Sequence, residues 1–430
     1  MAASGGMFRS LRVRNYRLFA SGQAVSLTGT WMQRVAQDWL VLELSHGSGV
    51  ALGLALALQF GPTLLFSLFG GILADRYDKR RVLMVTQAAM AVLAGVLGLL
   101  DVSGTVQLWH VYVLAGLLGV ASSLDVPVRQ SFVVEMVGGT DLPNALSLNS
   151  ATFNSARIVG PALAGLTISA VGTGWVFLAN AVLTLAVILG LAMMRAGELF
   201  RAPPAGRSPG QLREGLRYVR GRPDLVLPMV LIFVIGTFGL NFPITLALMA
   251  REVFGHGATE YGLLTTALAV GSLAGALVST RRTTRPRQRM LLLSALGFGV
   301  AETAAGFMPT YLALVLALVA LGWVSLMFTI AANATVQLGV EPTMRGRVMA
   351  LYLMCFMGGT PLGGPLVGAM SDLLGARAGL IGGGLVCAVA AVVLGVVFSR
   401  MRGLRLREQV GALPHPHLRR ANDPPGVRAA

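Results

Sequence analysis

Four charged side chains interrupt long apolar stretches of the sequence: Arg34, Asp38, Arg157 and Glu302. At mid-bilayer each costs about 2.5–3.5 kcal/mol on the insertion scale. Each must therefore pair with another group or face water. Arg34 and Asp38 lie four residues apart and share a helical face. Asp125 and Arg129 repeat that spacing. Arg157 has no local partner, so it is expected to pair across helices with Asp38 or Asp125. A carboxylate within an apolar stretch is a group that could carry a proton, and Asp38 and Glu302 are the candidates. A purely structural ion pair is the competing role. Histidine is no candidate, because His46, His110 and His256 fall at or near the ends of apolar runs and His415 and His417 lie close to the C-terminus.

Uncharged polar residues follow the same geometry. Gln23, Ser26, Thr30, Gln33, Arg34, Gln37 and Asp38 recur near the 3.6-residue period. Thr237, Asn241 and Thr245 are spaced by four, as are Ser325, Thr329, Asn333 and Gln337. A helix bathed in lipid does not line up polar groups in this way. Three stripes predict a shared, water-filled cavity with a substrate site drawn from Gln33, Arg34, Gln37, Asp38, Thr237, Asn241, Thr329, Asn333 and Gln337. The alternative is hydrogen bonding between helices, worth about 0.6 kcal/mol per pair. There is no phosphate-binding loop, no His/Cys cluster of metal-ligand spacing and no nucleophile–base set. Cys355 and Cys387 both sit in apolar stretches. Neither a cofactor nor a metal is expected, and the chain does not read as an enzyme.

The elements that must position these residues follow from composition. Of 430 residues, 55% are hydrophobic and only 12% charged, against about 25% charge in soluble proteins. Apolar runs of spanning length fall at 18–44, 50–74, 82–101, 109–129, 142–170, 173–194, 225–250, 260–280, 290–308, 311–337, 347–372 and 378–399. A spanning helix needs about 20 apolar residues, and only helices satisfy their own backbone in lipid without closing a barrel. The expectation is an all-α membrane protein of twelve transmembrane helices. With the N-terminus in the cytoplasm, 30 of the 34 basic residues fall in cytoplasmic segments. This is the positive-inside bias, and it places both termini in the cytoplasm. The net charge of +16 is thus explained by topology and not by nucleic-acid binding. No cleavable signal peptide is visible. Arg9, Arg12, Arg14 and Arg17 lead straight into the first run, which reads as a retained span.

The chain also repeats itself. Gly71-Ile72-Leu73-Ala74-Asp75 aligns with Gly275-Ala276-Leu277-Val278-Ser279 at an offset of 204 residues, and Gly160-Pro161 aligns with Gly364-Pro365 at the same offset. Gln33 and Gln37 align likewise with Thr237 and Asn241. Three matches at one offset predict two pseudo-symmetric six-helix bundles, a construction found in transporters. The predicted organisation is an N-terminal bundle over 1–194, a linker over 195–223, a C-terminal bundle over 224–400 and a disordered tail over 401–430. Within the linker, Leu212, Leu216 and Val219 stand at helical spacing beside Arg213, Arg217 and Arg220. That pattern suits an amphipathic helix on the anionic inner leaflet, although a solvated linker fits as well.

Two motifs and one longer stretch carry a family resemblance. The segment Gly71-Ile-Leu-Ala-Asp75-Arg76-Tyr77-Asp78-Lys79-Arg80-Arg81 resembles the inner-loop signature of the major facilitator superfamily. The resemblance implies that Asp75 faces a helix N-terminus of the other half, with Arg76 and Arg80 or Arg81 nearby, as a latch on the inner gate. A charge at a positive dipole end contributes about 0.3–1 kcal/mol when exposed. Asp78 stands where the family has glycine, and Ser279 replaces the acid in the second half. Gly160-Pro161-Ala-Leu-Ala-Gly165 resembles the helix-5 signature of exporters and antiporters, in which proline kinks the helix and small residues allow close packing. The stretch Asp125-Val-Pro127-Val-Arg129-Gln130, followed by Leu142-Pro143-Asn144-Ala145-Leu146, Asn149, Asn154 and Arg157, is similar to the enterobactin-exporter and macrolide-efflux-like branch.

The resemblance implies a major facilitator fold with spans 1, 4, 7 and 10 around the cavity. It also implies export of a siderophore or drug-like compound in exchange for protons. The expected setting is the cytoplasmic membrane of a bacterium. The partners are a small molecule, protons and the lipid bilayer, without nucleic acid, and the chain is expected to act as a monomer. Flipping of a lipid or lysolipid is the alternative within transport. A non-transporting sensor or a membrane-embedded enzyme is the alternative from another class.

Overall fold

The computed structural model describes residues 8–200, 211–279 and 288–411, and side chains within those ranges except at 67–75, 211–212 and 401–411. Apolar runs fold as helices because backbone groups must find partners within their own segment, and no strand occurs among the described residues. The order is α1 (Arg14–Leu44), α2 (Gly49–Arg76), α3 (Lys79–Val102), α4 (Leu108–Val171), α5 (Thr173–Ala192), α6 (Gln211–Arg220), α7 (Pro223–Phe238) and α8 (Phe242–Leu248). A π-helical turn over Met249–Val253 follows, then α9 (Ala258–Ser279), α10 (Gln288–Gly306), α11 (Tyr311–Gly339), α12 (Pro342–Leu374) and α13 (Ala376–Gly411).

Among the described residues, nine helical segments are long and apolar enough to cross a membrane by length and composition. One of them, the 64-residue α4, covers two of the expected apolar runs. With α1 and α10 over two further runs, helix occupies most of each of the twelve runs among the described residues.

Three boundaries differ from the sequence expectation. Residues 130–141 form no open loop. One helix runs up to Gly138 and another follows it, the backbone leaving helical geometry at that residue alone, whose φ of 67° suits a residue without Cβ. Span 7 is interrupted, because α7 stops at Phe238 and α8 restarts after Asn241. The final helix reaches Gly411, past the expected limit at 400, and the rest of the predicted tail lies outside the described residues.

The repeat is visible in the packing. In the first half α1 packs on α4 and α5, α2 on α4, and α3 on α5. In the second, α7 packs on α12 and α13, α9 on α11, and α10 on α13. The helix pairs correspond one to one. So do the turns: Gly172 ends α4 at φ 93° and Gly375 ends α12 at φ 94°. Between the halves the principal contacts are α2 with α12 and α4 with α9.

The linker helix α6 docks on α12. Gly215 lies against Arg347 and Leu351, and Glu214 pairs with Arg347 at 2.8 Å. Val219 is buried while Leu216 is exposed, so the face turned inward runs through Gly215 and Val219.

Candidate functional site between the halves

The α1 stripe is buried against three different helices. Gln23, Ser26, Gln33, Gln37 and Asp38 are each at most 6% exposed. Gln33 accepts a hydrogen bond from the Asn180 amide of α5. Gln37 donates to Gln59 Oε1 of α2 at 3.3 Å. Asp38 reaches across to the other half, where the Tyr261 hydroxyl of α9 donates to its Oδ2 at 2.8 Å. The same hydroxyl lies 3.3 Å from the Pro243 carbonyl oxygen, and its ring stacks on Trp39 with centroids 6.2 Å apart. Of this stripe, Gln33 therefore points into the first bundle, and Asp38 stands at the seam.

Two expected ion pairs do not form. Arg34 makes no ion pair with Asp38. Its guanidinium lies 4.5 Å from the Trp31 ring centroid and 5.8 Å from that of Phe60. A delocalised cation over an aromatic face is favourable, by about 2 kcal/mol or more when desolvated. Arg157 pairs with neither Asp38 nor Asp125. It donates to Ser272 Oγ of α9 at 3.0 Å, because α4 crosses α9 at that level and the seam, not the first bundle, is within its reach. Asp125 and Arg129 do form the expected pair at 2.6 Å. Thr86 and Gln87 of α3 also donate to the fully buried Asp125, at 2.8 and 3.0 Å, and Arg129 donates to Gln23 at 3.2 Å. This is a closed network inside the first bundle.

In the second half the chain break in span 7 sets the site. Thr237 donates to the Phe233 carbonyl and Asn241 to the Thr237 carbonyl, both at 2.7 Å. Glycines 359 and 363 of α12 press directly on this backbone. A Cβ at position 363 would sit 1.6 Å from the Thr237 carbonyl oxygen. Glu302 is 1% exposed and lies within the second bundle, its carboxylate beside Gly239 of the break and Gly383 of α13. On α11, Thr329 and Asn333 are half-buried and Gln337 is exposed.

The motifs resolve as follows. The surroundings of Gly71 and the side chain of Asp75 lie outside what is described, and Arg76 is exposed. Arg80 donates to the carbonyls of Leu191 and Ala192 at 2.6 and 2.8 Å. It thus caps the C-terminus of α5, where a cation meets the negative end of the dipole, and does not reach toward the other half. Asp78 caps α3 by accepting from the Arg81 amide at 3.1 Å, which accounts for an acid where glycine was expected. Lys79 pairs with Glu135 at 2.5 Å. Gly160 packs on Trp31 and Thr28 of α1, the Pro161 carbonyl meets Gly262, and Gly165 meets Ala258 and Thr259. The helix-5 motif therefore forms part of the seam with α9.

Hydrogen bonds that join the halves run from mid-bundle toward one end of the seam. They link Arg157 with Ser272, Thr266 with Ile158, Thr259 with Gly165, Ser169 with Thr259, Tyr261 with Asp38 and Arg251 with the Leu42 carbonyl, and Asp372 with residues 48–50. Sequence reasoning missed Tyr261, Ser272, Gln59, Asn180 and Asp372. Each is a lone polar residue whose role appears only when its partner from a distant helix is in place.

Helix pairs that match between the two halves, with a polar seam between them, are the architecture of a multi-pass membrane transporter. The chain matches the family described as transmembrane secretion effector over residues 5–421, and it belongs to that family. The multidrug efflux pump Tap of Mycolicibacterium fortuitum is 30% identical over 394 residues, which is 88% of this chain and 94% of Tap. The staphyloferrin A transporter of Staphylococcus aureus is 24% identical, covering 84% of this chain and 90% of its own. The enterobactin exporter EntS of Shigella boydii is 25% identical, covering 91% and 93%.

Among solved structures, a POT family transporter in complex with a peptide conjugate superposes with TM-score 0.73 at 11% identity, over 90% of this chain and 96% of its own. A bacterial homologue of the human lysosomal transporter Spinster, inward-facing and occupied, gives TM-score 0.68 at 16% identity, over 89% and 96%. The bacterial relatives and the long apolar helices make this a multi-pass protein of the bacterial cytoplasmic membrane.

Proposed function

We propose that the protein exports a bulky amphiphilic small molecule, a siderophore or a drug-like compound, by proton antiport with alternating access. The relatives with siderophore-exporter and efflux-pump names support the substrate class. The bias of 30 among 34 basic residues toward one side supports both termini in the cytoplasm. On that orientation the hydrogen-bonded end of the seam is the periplasmic or outer face. The conformation then has a sealed outer gate, with substrate entering from the cytoplasm. The chain acts as a monomer, since each bundle completes its own packing and the seam is internal.

The observation that carries the mechanism is the 2.8 Å bond between Asp38 of the first half and Tyr261 of the second. A carboxylate on the seam exchanges its partner when the halves rock, so proton binding and gate opening compete for one group. Glu302, enclosed in the second bundle, has no such partner exchange and is the weaker coupling candidate. Gln37, Asn241 and Asn333 remain the proposed substrate contacts. The test is export from proteoliposomes under an imposed pH gradient, with enterobactin, staphyloferrin A and ethidium as probes. Gradient-driven export that Asp38→Asn abolishes supports the reading, and export indifferent to the gradient refutes it. Movement of labelled lipid in the same vesicles without any probe export would instead make the protein a flippase.

A further inference from the structure

The contact between α2 and α12 holds a second acidic device, at the end of the pair opposite to Asp75. The two helices run antiparallel. Gly49 and Gly53 of α2 touch the backbone of Gly368 and Gly364 of α12, so that a Cβ at 53 would stand 2.4 Å from Gly364 and one at 368 would stand 2.1 Å from the Gly49 carbonyl. Farther along, the contact at Gly358 is with the tip of the Leu64 side chain at 3.5 Å. Among the described side chains, the closest backbone approaches of the pair lie at the start of α2.

At the tight end Asp372, in the last turn of α12, closes on the start of α2. Its Oδ1 accepts from the Gly49 amide at 2.6 Å, and its Oδ2 accepts from the Ser48 hydroxyl at 3.0 Å and the Val50 amide at 3.1 Å. The first amides of a helix have no partner inside it, and an anion there also meets the positive end of the dipole. Ser48 supplies one local cap, accepting from the Ala51 amide at 3.2 Å. The remaining donors are served by a carboxylate from the other half of the molecule. The titratable and charged groups of this end come from other elements: Arg251 and Glu252 lie against Leu42 and Gly47 of the first half, beside the same turn.

We propose that Asp372 is a gating residue that holds this end of the seam shut, acting as the opposite number of the latch expected for Asp75. Asp372 at one end of the antiparallel pair takes the N-terminus of α2 as its target, and the role expected for Asp75 from the inner-loop signature would be its counterpart at the other end. One latch is made when the other is broken, so the same pair of helices sets the preference between the two gate states. The inference rests on the alternating-access reading but not on the substrate or the coupling ion, because the gate is read without either.

The experiment uses the full chain in lipid nanodiscs, with Cys355 and Cys387 replaced by Ala and spin labels on exposed sites of opposite halves. Ser103 with Thr310 reports the latched end, and Thr140 with Thr343 reports the other. Asp372→Ala removes all three acceptor contacts and shifts the population toward the open form at the latched end by about fivefold, the effect of losing a helix cap. The distance at the opposite end shortens in step. Asp372→Asn, which keeps one acceptor and the side-chain volume, gives a smaller shift in the same direction and serves if the alanine variant does not reconstitute. Gly53→Leu, a wedge at the backbone contact, opens the same end and shows that the labels see it. Unchanged distance distributions in Asp372→Ala or Asp372→Asn overturn the proposal. Absence of export by the wild-type chain, with distances that shift as expected in the variants, would count against the transport reading alone.

Discussion

The hydroxyl of Tyr261 donates to Asp38 across the seam at 2.8 Å, joining a residue of α1 to one of α9. Because the Tyr261 ring also stacks on Trp39, Tyr261→Phe removes the hydroxyl and keeps the packing. A hydrogen bond to a charged group contributes about 1.5–3 kcal/mol net. Tyr261→Phe is expected to lower the thermal stability of the sealed form in detergent by that order and to slow pH-driven export about tenfold. Wild-type stability in the variant would show that the bond carries no weight in the gate.

Gly363 is expected to tolerate no side chain. Its Cβ position lies 1.6 Å from the Thr237 carbonyl oxygen, where α12 presses on the interrupted span. Overpacking of this kind costs about 1–3 kcal/mol, and more where backbone must move. Gly363→Ala should therefore sharply reduce folded yield by size-exclusion chromatography. Gly116→Ala, with nothing within 4 Å of its Cβ position, should behave as wild type.

The Asp125–Arg129 pair with Thr86 and Gln87 is predicted to be the first bundle's most costly polar site to break. Asp125 is fully buried and pairs at 2.6 Å. Removing one partner of a buried pair costs about 3–5 kcal/mol because the other charge is left uncompensated. Asp125→Ala should lower the unfolding midpoint well beyond Thr86→Ala, which removes one neutral donor. Equal effects would mean that Arg129 finds water once Asp125 is gone.

Much of this architecture is written in local pattern. The twelve apolar runs are helical because each is long enough to satisfy its own backbone. The offset that aligns Gly160-Pro161 with Gly364-Pro365 reappears as matched helix pairs and matched turns at Gly172 and Gly375. The site was less legible. Arg157 was expected to find an acid, yet the crossing of α4 on α9 brings it Ser272. A crossing angle is not readable from one helix. Arg34 and Asp38 share a face, but Tyr261 and Trp31 compete for them and win by proximity. Tyr261 and Asp372 carry no local signal at all. The latch at Gly71 and Asp75, the strongest motif in the sequence, remains an expectation because the Asp75 side chain lies outside the described residues.

Asp78 offers a test of the departure from the inner-loop signature. It caps α3 through the Arg81 amide, and replacing such a cap by alanine costs about 1 kcal/mol, but by glycine only a few tenths. Asp78→Ala should destabilise the first bundle by that amount in thermal unfolding, and Asp78→Gly should come close to wild type. Equal losses would mean that the carboxylate acts on something other than the cap.

The central claim is that Asp38 exchanges a proton as the halves rock. Its most direct measurement is proton release into proteoliposomes, followed with a trapped pH dye when a probe is exported against an imposed pH gradient. The account predicts probe-dependent proton movement in the wild type and none in Asp38→Asn, with probe binding retained and with Glu302→Gln still coupled. Proton movement that persists in Asp38→Asn, at the wild-type rate, would contradict it.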